Sequence, residues 1–103
     1  MIHYAIRSEI IIKMLNKVFQ KNQNIYIETF DDGALVLKMP NRNIYQFNLT
    51  ALKVLELTDG IHDVKEVSSV IAKKYHISHE KAFEDVLALY HHLLDQEIVE
   101  QLN

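Results

Sequence analysis

The stretch Phe47-Asn48-Leu49-Thr50-Ala51-Leu52-Lys53-Val54-Leu55-Glu56-Leu57-Thr58-Asp59-Gly60-Ile61-His62-Asp63-Val64-Lys65-Glu66-Val67 carries two helix starts and one helix stop. Asn48 has the short polar side chain that accepts a backbone N–H one turn ahead, so a helix is expected over 49–58. Asp59-Gly60 ends it, with Gly60 expected in the left-handed C′ conformation that residues bearing a Cβ adopt at a cost. Asp63 followed three residues later by Glu66 forms a capping-box pattern and opens the next helix. Leu49, Ala51, Leu52, Val54, Leu55 and Leu57 cover most of the first helix's circumference, and such a helix is a buried one. It is expected at the centre of the fold.

Outward from this centre, Ile25–Phe30 and Ala34–Met39 are β-prone runs joined by Asp31-Asp32-Gly33, a hairpin signal. Pro40–Asn43 is a second turn, and Ile44–Phe47 a short third strand that leads into Asn48. Nothing within Ile44-Tyr45-Gln46-Phe47 blocks a free edge, since it holds neither Pro nor Lys. The second helix, about Val64–Tyr75, alternates apolar and charged faces. His76-Ile77 connects it to Ser78, which caps a third helix over His79–Gln96. Ile98, Val99 and Leu102 form an apolar tail expected to pack on the core. Upstream, Ile11, Met14, Leu15, Val18 and Phe19 recur at three- and four-residue steps, so an amphipathic helix is expected over Ser8–Lys21. Residues 1–7 alternate loosely through Ile2, Tyr4 and Ile6.

The elements Phe47-Asn48-x-Thr50-Ala51, Val54-Leu55-x-Leu57-x-Asp59-Gly60 and Asp63-Val64-x-Glu66-Val67 resemble the signature of the PqqD family, small domains that recognise the leader segment of ribosomally made precursor peptides. The resemblance spans about residues 24–102. It implies an α+β, winged helix-turn-helix-like fold: a three-stranded antiparallel sheet followed by three helices, here with an extra N-terminal helix. Residues 1–23 are then an N-terminal helical extension and 24–103 the recognition domain. It also implies that a leader peptide adds as a strand beside Ile44, Tyr45, Gln46 and Phe47 and packs on the third helix through Ala82, Asp85, Val86, Leu89, Tyr90 and Leu93. The implied partners are the precursor peptide and a modifying enzyme, such as a radical SAM or lasso-forming enzyme. The third helix's apolar arc, about 160° against roughly 100° for a helix on one core, fits a second contact surface. Residue reading leaves either edge of that arc open to the peptide, the Leu89 side or the Phe83 and Leu87 side.

Other classes fit less well. At 103 residues, with 49% hydrophobic and 24% charged residues, the chain suits a single soluble domain. No apolar run nears the ~20 residues of a membrane span, and no signal peptide is evident. Without cysteine there are no disulfides or thiolate sites, and a cytoplasmic location is the default. Six histidines occur, but no HExxH or His-x-His spacing, so no metal or other cofactor is expected. Nor is there a phosphate loop, a nucleophile elbow or a paired-carboxylate cleft, which leaves no catalytic residue to name. A DNA-reading winged helix would present basic residues, whereas the third helix sets Glu80, Glu84, Asp85 and Asp95 against Lys81, and net charge is −3. The alternative reading is a structural or oligomerisation module whose free edge and N-terminal helix form a homodimer.

Overall fold

A computed structural model describes residues 13–103. Its order is β1 (Val18–Lys21), β2 (Ile25–Phe30), β3 (Gly33–Lys38), β4 (Asn43–Asn48), α1 (Leu49–Leu57), β5 (Asp59–Asp63), α2 (Val64–Tyr75), α3 (His79–Asp95) and β6 (Val99–Gln101). These α+β elements form two three-stranded antiparallel sheets, β2-β3-β4 and β5-β1-β6; α1 packs on β3 and β4, and α2 and α3 pack on each other and on β5 and β6 respectively.

The capping chemistry behaves as the sequence implies. Asn48 accepts from the Ala51 N–H at 2.9 Å. Asp63 and Glu66 close a reciprocal capping box, and the Ser78 hydroxyl accepts from the Lys81 N–H. His76 terminates α2 in the left-handed conformation, φ 54°, its N–H donating to the Ala72 carbonyl. Helix α1 buries Ala51, Leu52, Val54 and Leu55, and Leu55 is fully enclosed.

Two expectations fail. The helix expected over Ser8–Lys21 lies outside the described residues at 8–12 and is helical at 13–15, but Val18–Lys21 is a strand. Its three- and four-residue periodicity is real. Yet β5 and β6 both offer ladder partners, and β1 takes the middle of their sheet, pairing Val18 with Asp63 and Phe19 with Gln101. Local periodicity yields to two sets of backbone hydrogen bonds and a buried Phe19. The second concerns Gly60. Helix α1 ends one residue early, at Leu57, and Thr58 caps it. Gly60 does adopt a positive φ, 79°, but inside β5, two residues beyond the cap rather than at C′. The residues between the helix stop and the next cap thus form a strand.

Thr58 is fully buried, and its hydroxyl donates to the Val54 carbonyl at 2.6 Å. That uses its single proton, so at 2.8 Å the Tyr90 hydroxyl is the donor to Thr58. Burial pushes the Tyr90 phenol's pKa up, partly offset by this bond. Phe19 stacks on the Tyr90 ring, centroids 4.3 Å apart and planes 14° from parallel. From β1, Lys21 sends its ammonium to the Leu55 and Thr58 carbonyls, both at 2.8 Å, closing the C-terminal end of α1. Partial burial lowers its pKa, with Asp59 and then Glu56 opposing.

Asp59 anchors the start of β5. Its carboxylate accepts from the Ile61 and His62 N–H groups at 2.9 and 3.0 Å and meets His62 Nδ1 at 2.7 Å. The His62 and Ile61 backbone donors, with help from the His62 side chain and against some desolvation, hold its pKa down to about 2 from 3.8.

Two outcomes follow from this packing. Phe19→Ala is expected to lower unfolding free energy in urea by about 3–5 kcal/mol, the usual cost of emptying a buried aromatic site; a loss below ~1 kcal/mol would place Phe19 outside the core. Because the folded pKa of Asp59 lies below its unfolded value, its contribution is complete above pH 3.8 and disappears as pH falls towards about 2. Urea midpoints of wild type and Asp59→Asn should therefore differ at pH 5 and converge by pH 2.

Candidate functional site

The edge strand expected to bind peptide is observed, one residue longer at each end: Asn43–Asn48 instead of Ile44–Phe47. Among the described residues β4 pairs only with β3, so its far side is a free row of backbone groups. Register decides which groups those are. The two-residue loop Asp31-Asp32 closes on the pair Phe30 and Gly33, and further along Met39 donates its N–H to the Asn24 carbonyl at 2.8 Å. Odd-numbered residues of β3 therefore bond to β2, and even-numbered ones to β4. Ala34, Val36 and Lys38 face Phe47, Tyr45 and Asn43. It follows that Asn43, Tyr45 and Phe47 direct their N–H groups inward, while Ile44, Gln46 and Asn48 direct theirs to the open side.

Side chains alternate in the orthogonal direction. Phe47 is buried and Tyr45 half-buried against the core, on the face that carries Ala34 and Val36. Ile44 and Gln46 lie on the opposite, outer face, with Ile44 65% exposed. A ligand along β4 can thus bond the backbone of Ile44 and Gln46 and touch the Tyr45 ring on the core side.

Gly33 makes this edge what it is. A Cβ there would stand 2.1 Å from the Phe47 carbonyl oxygen, far inside contact distance, so the strands can approach only with glycine at this position.

On α3 the expected residues separate. Ala82, Val86, Tyr90 and Leu93 are enclosed in the core at 0–1% exposure, and Phe83 is buried too. Their side chains support the groove floor and present no surface. Leu89 is half-buried on one flank of the arc and Asp85 is exposed beside it, 3.0 Å from Lys81. Leu87 and Leu94 are half-buried on the other flank. The width of the arc is thus largely core, and the flanks alone reach solvent. The Leu94 flank adjoins Asn22, Asn24, Lys38 and Val99 around one crevice, while Phe83 and Glu84 share a second cleft with Leu15 and α2.

Gln96, at the C-cap of α3, went unremarked in the sequence. Its Oε1 is enclosed and has no hydrogen-bond partner among the described residues, while its Nε2 lies 3.2 Å from His92 Nε2. Helical spacing puts Gln96 on the Leu89 flank, but a cap glutamine gives no signal from composition. Among the described residues no group of three or more His, Asp or Glu side chains could hold a metal ion, and no helix is long and apolar enough to cross a membrane.

The geometry defines a small α+β domain with an open strand edge among its described residues and a long amphipathic helix. A family model described as coenzyme PQQ synthesis protein D (PqqD) matches residues 34–99, from β3 into β6. The chain belongs to the PqqD family. No curated protein matches its sequence significantly. Among solved structures it is similar to a lasso peptide synthetase B1 complexed with the leader peptide: TM-score 0.72, 21% identity, 80% of this chain and 96% of that one. TbiB1 in complex with the TbiA(beta) leader peptide gives TM-score 0.72 at 14% identity, over 79% and 94% of the two chains. The PqqD truncation of Methylobacterium extorquens PqqCD, a stand-alone RiPP recognition element, gives 0.68 at 19%, over 81% and 88%. At these identities the likeness is one of fold.

Gly33→Ala tests the edge directly. It is expected to destabilise the domain by at least ~2 kcal/mol, because the contact it creates is with backbone and cannot be relieved by a rotamer. A melting temperature within 2–3 °C of wild type, on the order expected for under ~1 kcal/mol in a domain of this size, would contradict the register.

Proposed function

We propose that this chain is a non-catalytic peptide-recognition domain that binds the leader segment of a ribosomally made precursor peptide by strand addition to β4 and presents it to a modifying enzyme. The observation that carries this reading is the edge of β4, whose Ile44 and Gln46 backbone groups face away from β3, have no strand partner among the described residues and lie beside the half-buried Tyr45. Backbone bonds along such an edge supply affinity, and side-chain pockets on alternate residues supply sequence preference. Family membership supports the reading, as do the two similar structures that were solved with leader peptides. The Leu94 flank of α3 adjoins the β1–β2 loop and β6, which leaves the Leu89 flank for the peptide. Leu89 and Asp85 are then the helix residues that meet it, with Ala82, Val86, Tyr90 and Leu93 holding the helix in place from inside the core. The helix-turn-helix likeness serves peptide rather than DNA in this reading, since α3 exposes Glu80, Asp85 and Asp95.

Proline scanning of β4 tests the mechanism, because proline removes one N–H. Ile44→Pro and Gln46→Pro delete outward donors and are expected to stay folded while weakening a labelled leader peptide about tenfold or more, ~1.4 kcal/mol. Tyr45→Pro deletes a donor to β3 and is expected to damage the fold itself. Leu89→Arg should fold and bind weakly. Fluorescence polarisation with the leader of the adjacent precursor reads all four; wild-type affinity in every folded variant would refute strand addition.

A further inference from the structure

Strand alternation gives the β2-β3-β4 sheet a second face, turned away from the core, and that face is unusually apolar for solvent. Tyr26, Leu37 and Ile44 stand directly opposite one another across the three strands. Tyr26 is 64% exposed and Ile44 65%, and Leu35 and Phe30 extend the patch at 38% and 51%. Contiguous exposed apolar surface of this size is often functional on a monomer. The end nearest the β2–β3 turn is acidic: Glu28, Asp31 and Asp32 are all exposed, and none enters an ion pair among the described residues. The face is therefore apolar in its middle and negative at one end.

Its size narrows the occupant. Three strands of six residues, at about 3.3 Å per residue and about 4.8 Å between strands, cover roughly 300 Å². A stable dimer needs about 800 Å² per partner. The face suits a larger, different protein that wraps beyond its rim. It borders β4, so a strand added there widens it by about 4.8 Å and brings the peptide's own side chains into the same plane.

We propose that this outer face is the docking surface for the peptide-modifying enzyme, through a patch on that enzyme that is apolar at its centre and basic where it meets Glu28, Asp31 and Asp32. The proposal rests on the peptide-recognition reading above and assigns its second partner to a surface separate from the peptide edge. It explains why large apolar side chains remain exposed on β2 and β3, where strand addition to β4 makes no use of them.

The test uses the full chain, with a labelled precursor leader peptide and a purified peptide-modifying enzyme that acts on that precursor. Tyr26→Lys combined with Leu35→Lys alters the apolar centre while leaving every residue of β4 unchanged. Asp31→Lys combined with Asp32→Lys reverses the acidic end and serves as an independent variant. Thermal melts establish that each is folded. Both are expected to keep leader affinity within about twofold, while enzyme affinity by calorimetry falls at least tenfold for the first pair and severalfold, with weaker salt dependence, for the second. Unchanged enzyme affinity in both variants overturns the proposal, as does wild type that fails to bind the enzyme. So does a wild-type dimer, seen by sedimentation, that the variants dissociate without affecting the enzyme. If the leader does not bind wild type but the enzyme behaves as expected, the strand-addition reading falls and the docking surface stands.

Discussion

The buried hydrogen bond from the Tyr90 hydroxyl to Thr58, with Phe19 stacked on the Tyr90 ring, is the constraint on which the rest of the structure depends. It joins three distant parts of the chain: the last helix, the end of the central helix and the first strand. Each participant is all but inaccessible to water, so an unsatisfied hydroxyl there would carry a full desolvation penalty. The Thr58 hydroxyl is satisfied twice, by donating to Val54 and accepting from Tyr90. Lys21 reinforces the same junction by binding the Leu55 and Thr58 carbonyls, where α1 would otherwise leave acceptors open. With that junction closed, β5 can leave α1 at once and pair with β1.

This arrangement separates support from recognition. The enclosed residues of α3 fix the helix, while one flank of it stays half-buried and β4 pairs on one side only among the described residues. The positions of the backbone donors and acceptors along β4 are set by register, and register here is secured by the Phe30–Gly33 closure and by the tight approach of Gly33 to Phe47.

The two faces of the β2-β3-β4 sheet then have different roles. One carries Ala34, Val36 and Phe47 into the core; the other leaves Tyr26, Leu35 and Ile44 in water. Burial on one face makes the register costly to shift, since slipping by one residue would exchange the two sets. The exposed set is thus held in a fixed array by the buried one, and a fixed apolar array is what a second protein can recognise at low entropic cost.

Much of this was legible in the residues themselves. Asn48, Asp63, Glu66 and Ser78 act within one turn of chain, so their capping roles follow from local geometry, and the bounds of α2 came out as read. The Asp31-Asp32-Gly33 hairpin and the short strand before Asn48 are equally local. What the sequence could not reveal depends on partners far away. Val18–Lys21 has a helical period, and only the arrival of β5 and β6 on either side makes it a strand. Apolar spacing on α3 could not tell Val86, enclosed, from Leu89, half-exposed, because that distinction depends on what packs against each flank. The identity of the outward-facing N–H groups of β4 was fixed neither by composition nor by pattern. It follows from a two-residue loop and one hydrogen bond between Met39 and Asn24, and so belongs to the tertiary structure alone.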